Sequence, residues 1–524
     1  MKILLTLALT LILYPYPVMA LPAGGRVAAG SAGISKPNGQ NLNINQLSDK
    51  AIINWKGFSI NVNELVRFMQ PSSKSIVLNR VTGVDPSSIL GRLVANGRVF
   101  IINPNGILFG PNSVVDVAGL LATTLNIKDA DFMAGKFTFA QDPAKSPAFV
   151  VNQGQIKVSD HGFVFLVAPG VSNEGLIIAN LGKVLMGSGE RLTVDFMGDG
   201  LITFAIEGKV LNQVTGPDGA PLGSAVANTG TIKADGGQVI LSARASSEIF
   251  SSVVNNSGVI EARSLVNQGG VIRLEGSDPA LNTGEIGWQA NLGKVQNGDG
   301  RVLNTGTLDV SAREAGAAPG EVTLSGQMVG VSGSILARGA DGAQGGRVLV
   351  TSSDKTILTQ DSVIDNSGVG NSSAGNAVIW SDKDMVFRGT IVAKGGETGG
   401  NGGQIEVSGH ENLSFTGQVN ALAPMGTTGS LLLDPLNITV ASGGAATLPQ
   451  VDQFSDTPAT NQTIAPATIN AAAANVTLQA NNDITVTNAI AMTNAGVGIT
   501  MQAGRDINMN ASVSTNNFKV CFIS

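Results

Sequence analysis

The sequence predicts an all-β chain wound as a right-handed parallel β-helix with a β-rich cap at its N-terminal end. Three observations lead there. Aromatic residues are 4 % and charged residues 13 % of the 524, whereas hydrophobic residues reach 43 % and glycine occupies 67 positions. That balance suits short strands joined by tight turns; a compact aromatic core or a disordered chain would be composed differently. A phrase of Asn, any residue, Gly and a short strand recurs through the middle of the chain. One strand-dense block near the start, residues 34–126, lacks that phrase.

In chain order, Lys2 precedes an apolar run over residues 3–13, Pro15 and Pro17 break it, and "VMA" at 18–20 offers small residues for cleavage. Residues 1–20 therefore read as a secretory signal peptide cut after Ala20. The run is too short for a bilayer span of about 20 apolar residues. A net charge of −6 leaves no electrostatic footprint for nucleic acid. The single cysteine, Cys521, excludes an internal disulfide.

The block "VFIINPNGILFGPNSVVDV" at 99–117 interrupts good strand twice. Pro104 cannot donate to a ladder, and Asn105-Gly106 supplies a tight turn; Pro111-Asn112 repeats the device. The breaks fold the strand into consecutive sides of one coil. A block used once, at the start, behaves like a cap over the open edge of a solenoid.

The recurrent phrase begins at Asn152, Asn173, Asn228, Asn256, Asn282 and Asn304, with looser copies at 331, 387 and 415. From 228 to 304 the copies are spaced by 28, 26 and 22 residues. A second phrase, such as "GGQVILSA" at 236 or "GGQIEVSG" at 402, puts Gly before another strand. Such a period is that of a solenoid in which each unit forms one coil and its neighbours complete its core. Asn and Gly are expected at turns because both tolerate the left-handed region, and Asn at equivalent turns can stack as a hydrogen-bonded ladder. Roughly twenty coils at about 4.8 Å each would make a rod on the order of 100 Å long. Antiparallel β-sandwiches, the competing fold, would show hairpin turns and less internal similarity.

"AIINWKGFSI", "VRFMQP", "LNRVTG", "LVANGRVFIINPNGILFG" and "GLLATTLNI" together resemble the N-terminal secretion domain of filamentous haemagglutinins. The resemblance is closer to the high-molecular-weight adhesins of Gram-negative bacteria, which are two-partner secretion exoproteins. "GNAVIWSD", "GGQIEVSGH" and "GSLLLDPLNITV" resemble the pro-piece of those adhesins, and "AGRDINMNASV" their early repeats. The Asn-Pro-Asn-Leu motif of some relatives is absent; "LNRVTG" stands near its place. The resemblance implies a secretion domain with cap over 21–145, pro-piece-like β-helical repeats over 146–434, and the start of adhesin-like repeats over 435–524, ending in mid-repeat as a short or truncated member would. It implies periplasmic recognition by the POTRA domains of a dedicated outer-membrane transporter, then folding outside the cell. Asn103, Pro104, Asn105, Gly106 and Ile107 would belong to the secretion signal. A host-cell glycan or surface receptor is the implied target, and a monomer the implied state. A haem-acquisition or contact-dependent toxin exoprotein is the alternative within the family.

No catalytic, metal or cofactor constellation emerges. His161 and His410 both stand beside glycine. Asp129 and Asp131 in "KDADF" read as a solvated turn, and Cys521 lacks the company of a reactive thiol. A β-helical polysaccharide lyase or hydrolase would gather Asp, Arg or Lys on one strand face, whereas charges here are scattered among turns.

Overall fold

The computed structural model describes residues 21–196, 202–246, 248–276, 300–442, 463–516 and 518–523. The signal-peptide reading and the phrase at Asn282 lie outside them. The described chain winds through three strands per coil, and one coil shows the plan. Arg98–Ile102 forms the first side, Ile107–Phe109 the second and Val114–Val117 the third; Gly119–Thr123 then starts the next coil. Pairing along the axis is parallel, as in Phe100 with Leu121, Leu108 with Val151 and Val115 with Ile156. The third side makes a 14-stranded sheet. The first two sides merge into a 26-stranded sheet, because Glu321–Val331 and Arg347–Leu358 run through the corner between them. The fold is a parallel β-helix.

The block at 99–117 is therefore one ordinary coil, and the expectation that it acts as the cap is corrected. The cap is made by antiparallel strands ahead of it: Arg26–Ala29 pairs with Lys50–Trp55, and Ala32–Asn38 with Asn41–Gln46. Antiparallel partners occupy the edge of the first coil and so deny it to another chain.

Inward-facing residues stack in register. On the third side Leu93, Val115, Ile156, Ile177, Ile232 and Ile260 follow one another, all fully buried. Each contributes about 1.5–3 kcal/mol by leaving water. At the corner between second and third sides, Asn152, Asn173, Asn228, Asn256 and Asn304 form the amide ladder. Each Nδ2 donates to the next Oδ1 at 2.7–2.8 Å. The same column runs through Ile60, Ile89 and Phe109 before the ladder and continues, past Asn304, as Val331, Leu358, Phe387 and Phe415. There the last two rings stack at 5.0 Å between centroids.

Two details differ from the sequence reading. Asn256 bonds directly to Asn304, 48 residues on. The 26- and 22-residue spacings therefore do not mark successive coils. The paired glycines also have a different cause. Gly175, Gly230, Gly258 and Gly306 are not in the left-handed region. A Cβ on any of them would instead lie 2.0–2.2 Å from the carbonyl oxygen of the corresponding glycine one coil below. Stacked backbones, not turn dihedrals, exclude a side chain here.

The outward residues of the first side should be polar on a bare solenoid, yet Phe100, Leu121, Phe165, Leu185 and Ile240 are buried. A covering layer explains them. The short helix Asp129–Met133 and an antiparallel sheet of Phe137–Ala140, Arg191–Phe196 and Ile202–Glu207 lie over this face and make a second core. Phe100 is its centre, with five other rings at 5.9–6.3 Å between centroids. Arg98 lies over Phe163 and Phe196 at 5.6 and 5.3 Å, and burial lowers its affinity for the proton. Beyond Ile240 the column turns polar with Arg273 and Thr323. Phe100→Ala is expected to cost about 3–5 kcal/mol, read as a drop in melting temperature with increased binding of a hydrophobic dye.

Candidate functional site

The corner at residues 103–107 closes one coil and starts the next side. The Gly106 amide donates to the Asn103 carbonyl at 3.1 Å, which defines a β-turn with Pro104 in its second position. Proline presets φ there. Gly106 has φ of 115°, which a residue with a Cβ adopts only under strain. Asn103 is fully buried. Its Oδ1 accepts from both the amide and the Nδ2 of Asn105, each at 3.0 Å. Its Nδ2 donates to the Asp85 carbonyl and to Ser87 Oγ, each at 3.0 Å. Asn105 Nδ2 reaches the Gly83 carbonyl at 3.0 Å, and the Asn103 amide donates to the Thr123 carbonyl of the following coil at 3.1 Å. Ile107 is fully buried in the helix core. Only Pro104 and Asn105 reach solvent in part. One asparagine thus ties three successive coils together.

"LNRVTG" serves the same construction. Asn79 bridges Trp55 Nε1 at 3.0 Å and the Phe100 carbonyl at 3.3 Å. Arg80 holds the covering layer through Asp129 at 2.5 Å, the Ile127 carbonyl at 2.6 Å and Asn126 at 3.0 Å. Asp129 and Asp131 accordingly stand in the first turn of a short helix, not in a solvated turn.

The remaining sequence candidates are not brought together. His161 is exposed with φ of 61°. His410 is exposed and faces Asp434, whose carboxyl is pushed up by burial against the opposing pull of the imidazole. Cys521 lies on Val520–Ile523, opposite Thr500. Among the described residues no group of three or more His, Cys, Asp or Glu could hold a metal. One charged cluster does gather, which the sequence reading missed. Buried Asp235 accepts from Arg263 Nε at 3.0 Å and Nη2 at 2.9 Å, and from Arg313 Nη1 at 2.5 Å. The Arg263 amide donates to it as well, at 3.1 Å. With both oxygens occupied by cations and an amide, this carboxylate clamps adjacent coils. The 28-residue step from Asp235 to Arg263 matches that from Asn228 to Asn256 and could have signalled the pairing.

With this geometry in view, comparison with known proteins decides the family. A family model described as the TPS secretion domain matches residues 19–288. The chain belongs to the TPS secretion domain family. Two relatives, both named heme/hemopexin-binding protein and both from Haemophilus influenzae, are 33 % identical over 269 residues and 28 % identical over 282 residues. Each match takes in 50 % of this chain but only 28 % and 29 % of the relative, respectively. A solved structure, the HMW1 secretion domain from Haemophilus influenzae, superposes with a TM-score of 0.60 at 28 % identity, covering 77 % of this chain and 100 % of that one. The TPS match runs through the expected boundary at 145/146, and the parallel pairing does too, with Phe109 beside Asn152.

Proposed function

We propose that this chain is a two-partner secretion exoprotein of the adhesin type whose N-terminal domain directs its export. It reaches the cell surface or the medium by way of the periplasm, where POTRA domains of a dedicated outer-membrane transporter recognise it. Residues 103–107 belong to the secretion signal, and they act through the shape they impose. The observation that carries this is the burial of Asn103, whose side-chain amide is fully engaged, its Nδ2 by the preceding coil and its Oδ1 by Asn105 of the same turn. The β-helix downstream is a non-catalytic stalk and binding surface, monomeric, with a host glycan or surface receptor as its target. The relatives' name supports a second reading, capture of haem or haemopexin. Histidine and tyrosine, two of the side chains that ligate haem, are sparse: the two histidines stand far apart in sequence, and Tyr14 and Tyr16 fall in the proposed signal peptide.

Export of an Asn103→Ala, Asn105→Ala double variant tests the role of the corner. The variant orphans the Asn103 partners on loop 82–87, at roughly 1–3 kcal/mol for each buried group left unpaired. Reduced export with material held in the periplasm is expected. Wild-type yield in the medium would show the corner to be dispensable.

A further inference from the structure

We propose that the outward face of the first side between residues 347 and 434 binds a neutral glycan, with Trp380 as the stacking platform and Glu406 and Asp434 as hydroxyl acceptors. This rests on the reading of the downstream β-helix as a binding surface, and the folded, exported chain is the form that binds. Among the described residues the covering layer ends near Ile240. No helix or second sheet packs over Arg347–Leu358, Ala377–Ser381, Gln404–Gly409 or Ser430–Leu433. Ile379, Val407 and Leu431 lie in the helix core, so Val378, Trp380, Glu406 and Leu432 point outward.

In the register of the sheet, Trp380 stands between Thr351 of the coil before and Ser408 of the coil after. Both are small and outward, yet they are only 7 % and 0 % exposed. With no layer above them, the indole between them supplies cover, which sets the half-buried ring along the sheet with one face to solvent. Its Nε1 donates to Asp382 Oδ1 at 2.8 Å. The ring is thereby fixed, and what it offers a ligand is its π face. Glu406 stacks between Val378 and Leu432. Asp434 follows Leu432 by two residues and shares its face. Burial, with the charge of Asp434 added, pushes the Glu406 carboxyl up; burial pushes Asp434 up against the pull of His410. Asp434 Oδ1 is buried without a hydrogen-bond partner among the described residues. A buried acceptor left without a donor is costly, and a ligand hydroxyl supplies the donor.

These groups select the class of ligand. Carboxyls that hold their protons more tightly than usual are poor partners for lysine or arginine, which need the full negative charge. Whatever charge they keep repels the carboxylates and sulfates of acidic glycans, and strengthens a hydrogen bond from a neutral hydroxyl. An indole face beside Val378 and Leu432 receives the C–H face of a sugar ring. A neutral saccharide presents both surfaces at once.

The test uses the secreted full chain and a panel of neutral oligosaccharides of glucose, galactose, mannose or N-acetylglucosamine, with sialylated and sulfated counterparts. Saturable binding to a neutral member is expected, with a change in tryptophan fluorescence that Trp380→Phe removes. Trp380→Ala should weaken binding about tenfold or more, the scale of one aromatic anchor. Asp434→Ala should weaken it likewise and leave the melting temperature unchanged or higher, since an unpaired buried oxygen is removed. A merely structural residue would lose binding and stability together. Lys157→Ala, exposed on the third side, should change nothing. Failure to bind any neutral member overturns the proposal. So does binding that survives both Trp380→Ala and Asp434→Ala, or binding confined to acidic glycans or to polylysine. If Trp380→Ala does not fold, Asp434→Ala and the fluorescence change decide. Adherence of the wild-type chain to host cells keeps the binding-surface reading when this site fails; absence of both glycan binding and adherence overturns both.

Discussion

Gly258→Ala is expected to disrupt the middle of the β-helix, lowering stability by about 3–5 kcal/mol. The new Cβ would stand 2.1 Å from the Gly230 carbonyl oxygen and 2.7 Å from the Thr229 carbonyl carbon. Both are backbone atoms of the coil below and cannot rotate away. Relief requires the two coils to separate locally. That lengthens the bonds from the Gly258 amide to the Asn228 carbonyl and from the Val259 amide to the Gly230 carbonyl, now 3.0 and 2.9 Å. The matched control is Gly33→Ala, where a Cβ meets nothing within 4 Å; it should change stability by no more than about 0.5 kcal/mol. Thermal melts of the two variants check the pair. Similar melting temperatures would mean that the coils are not stacked as closely as described.

The second large effect concerns buried asparagines, which fall into two opposite classes. Asn228 accepts from Asn173 at 2.7 Å and donates to Asn256 at 2.8 Å. Asn228→Ala breaks both, leaving one buried donor and one buried acceptor orphaned at roughly 1–3 kcal/mol each. Asn366 is equally buried, but neither its Oδ1 nor its Nδ2 has a protein partner among the described residues. It follows Val363–Asp365 just as Ala337 and Ala393 follow the strands paired on either side. Asn366→Ala should therefore leave stability unchanged or raise it by on the order of 1 kcal/mol. Denaturant unfolding of both variants separates the classes, and a loss at Asn366 as large as at Asn228 would contradict the account.

Much of this architecture was legible in the sequence because a solenoid writes its structure once per coil. The Asn-x-Gly phrase marked the ladder corner, and the breaks at Pro104 and Pro111 marked the sides of a coil. The period misled where an insertion separates successive rungs, as between Asn256 and Asn304, since spacing alone cannot say which copy stacks on which. The covering layer went unseen for a different reason. Its partners lie far apart in the chain: Phe100 meets Phe132, Phe137 and Phe196 only in three dimensions. A local sign was present, however. "VFII", "GLLAT" and "FVFLV" are continuously apolar, the pattern of strands buried on both faces, whereas "VIRLEG" and "EVTLSG" alternate. At the corner the motif could be recognised, but not what it holds. The carbonyls of Gly83 and Asp85 have no side-chain signature, so the tie from Asn103 and Asn105 to loop 82–87 exists only in the fold.

The most direct measurement on the central claim is export of the wild-type chain from cells that carry or lack its two-partner transporter. The account predicts folded, protease-resistant protein in the medium or on the surface only when the transporter is present, with the chain held in the periplasm otherwise. Equal release in both strains, or retention in both with the transporter correctly assembled, would contradict it.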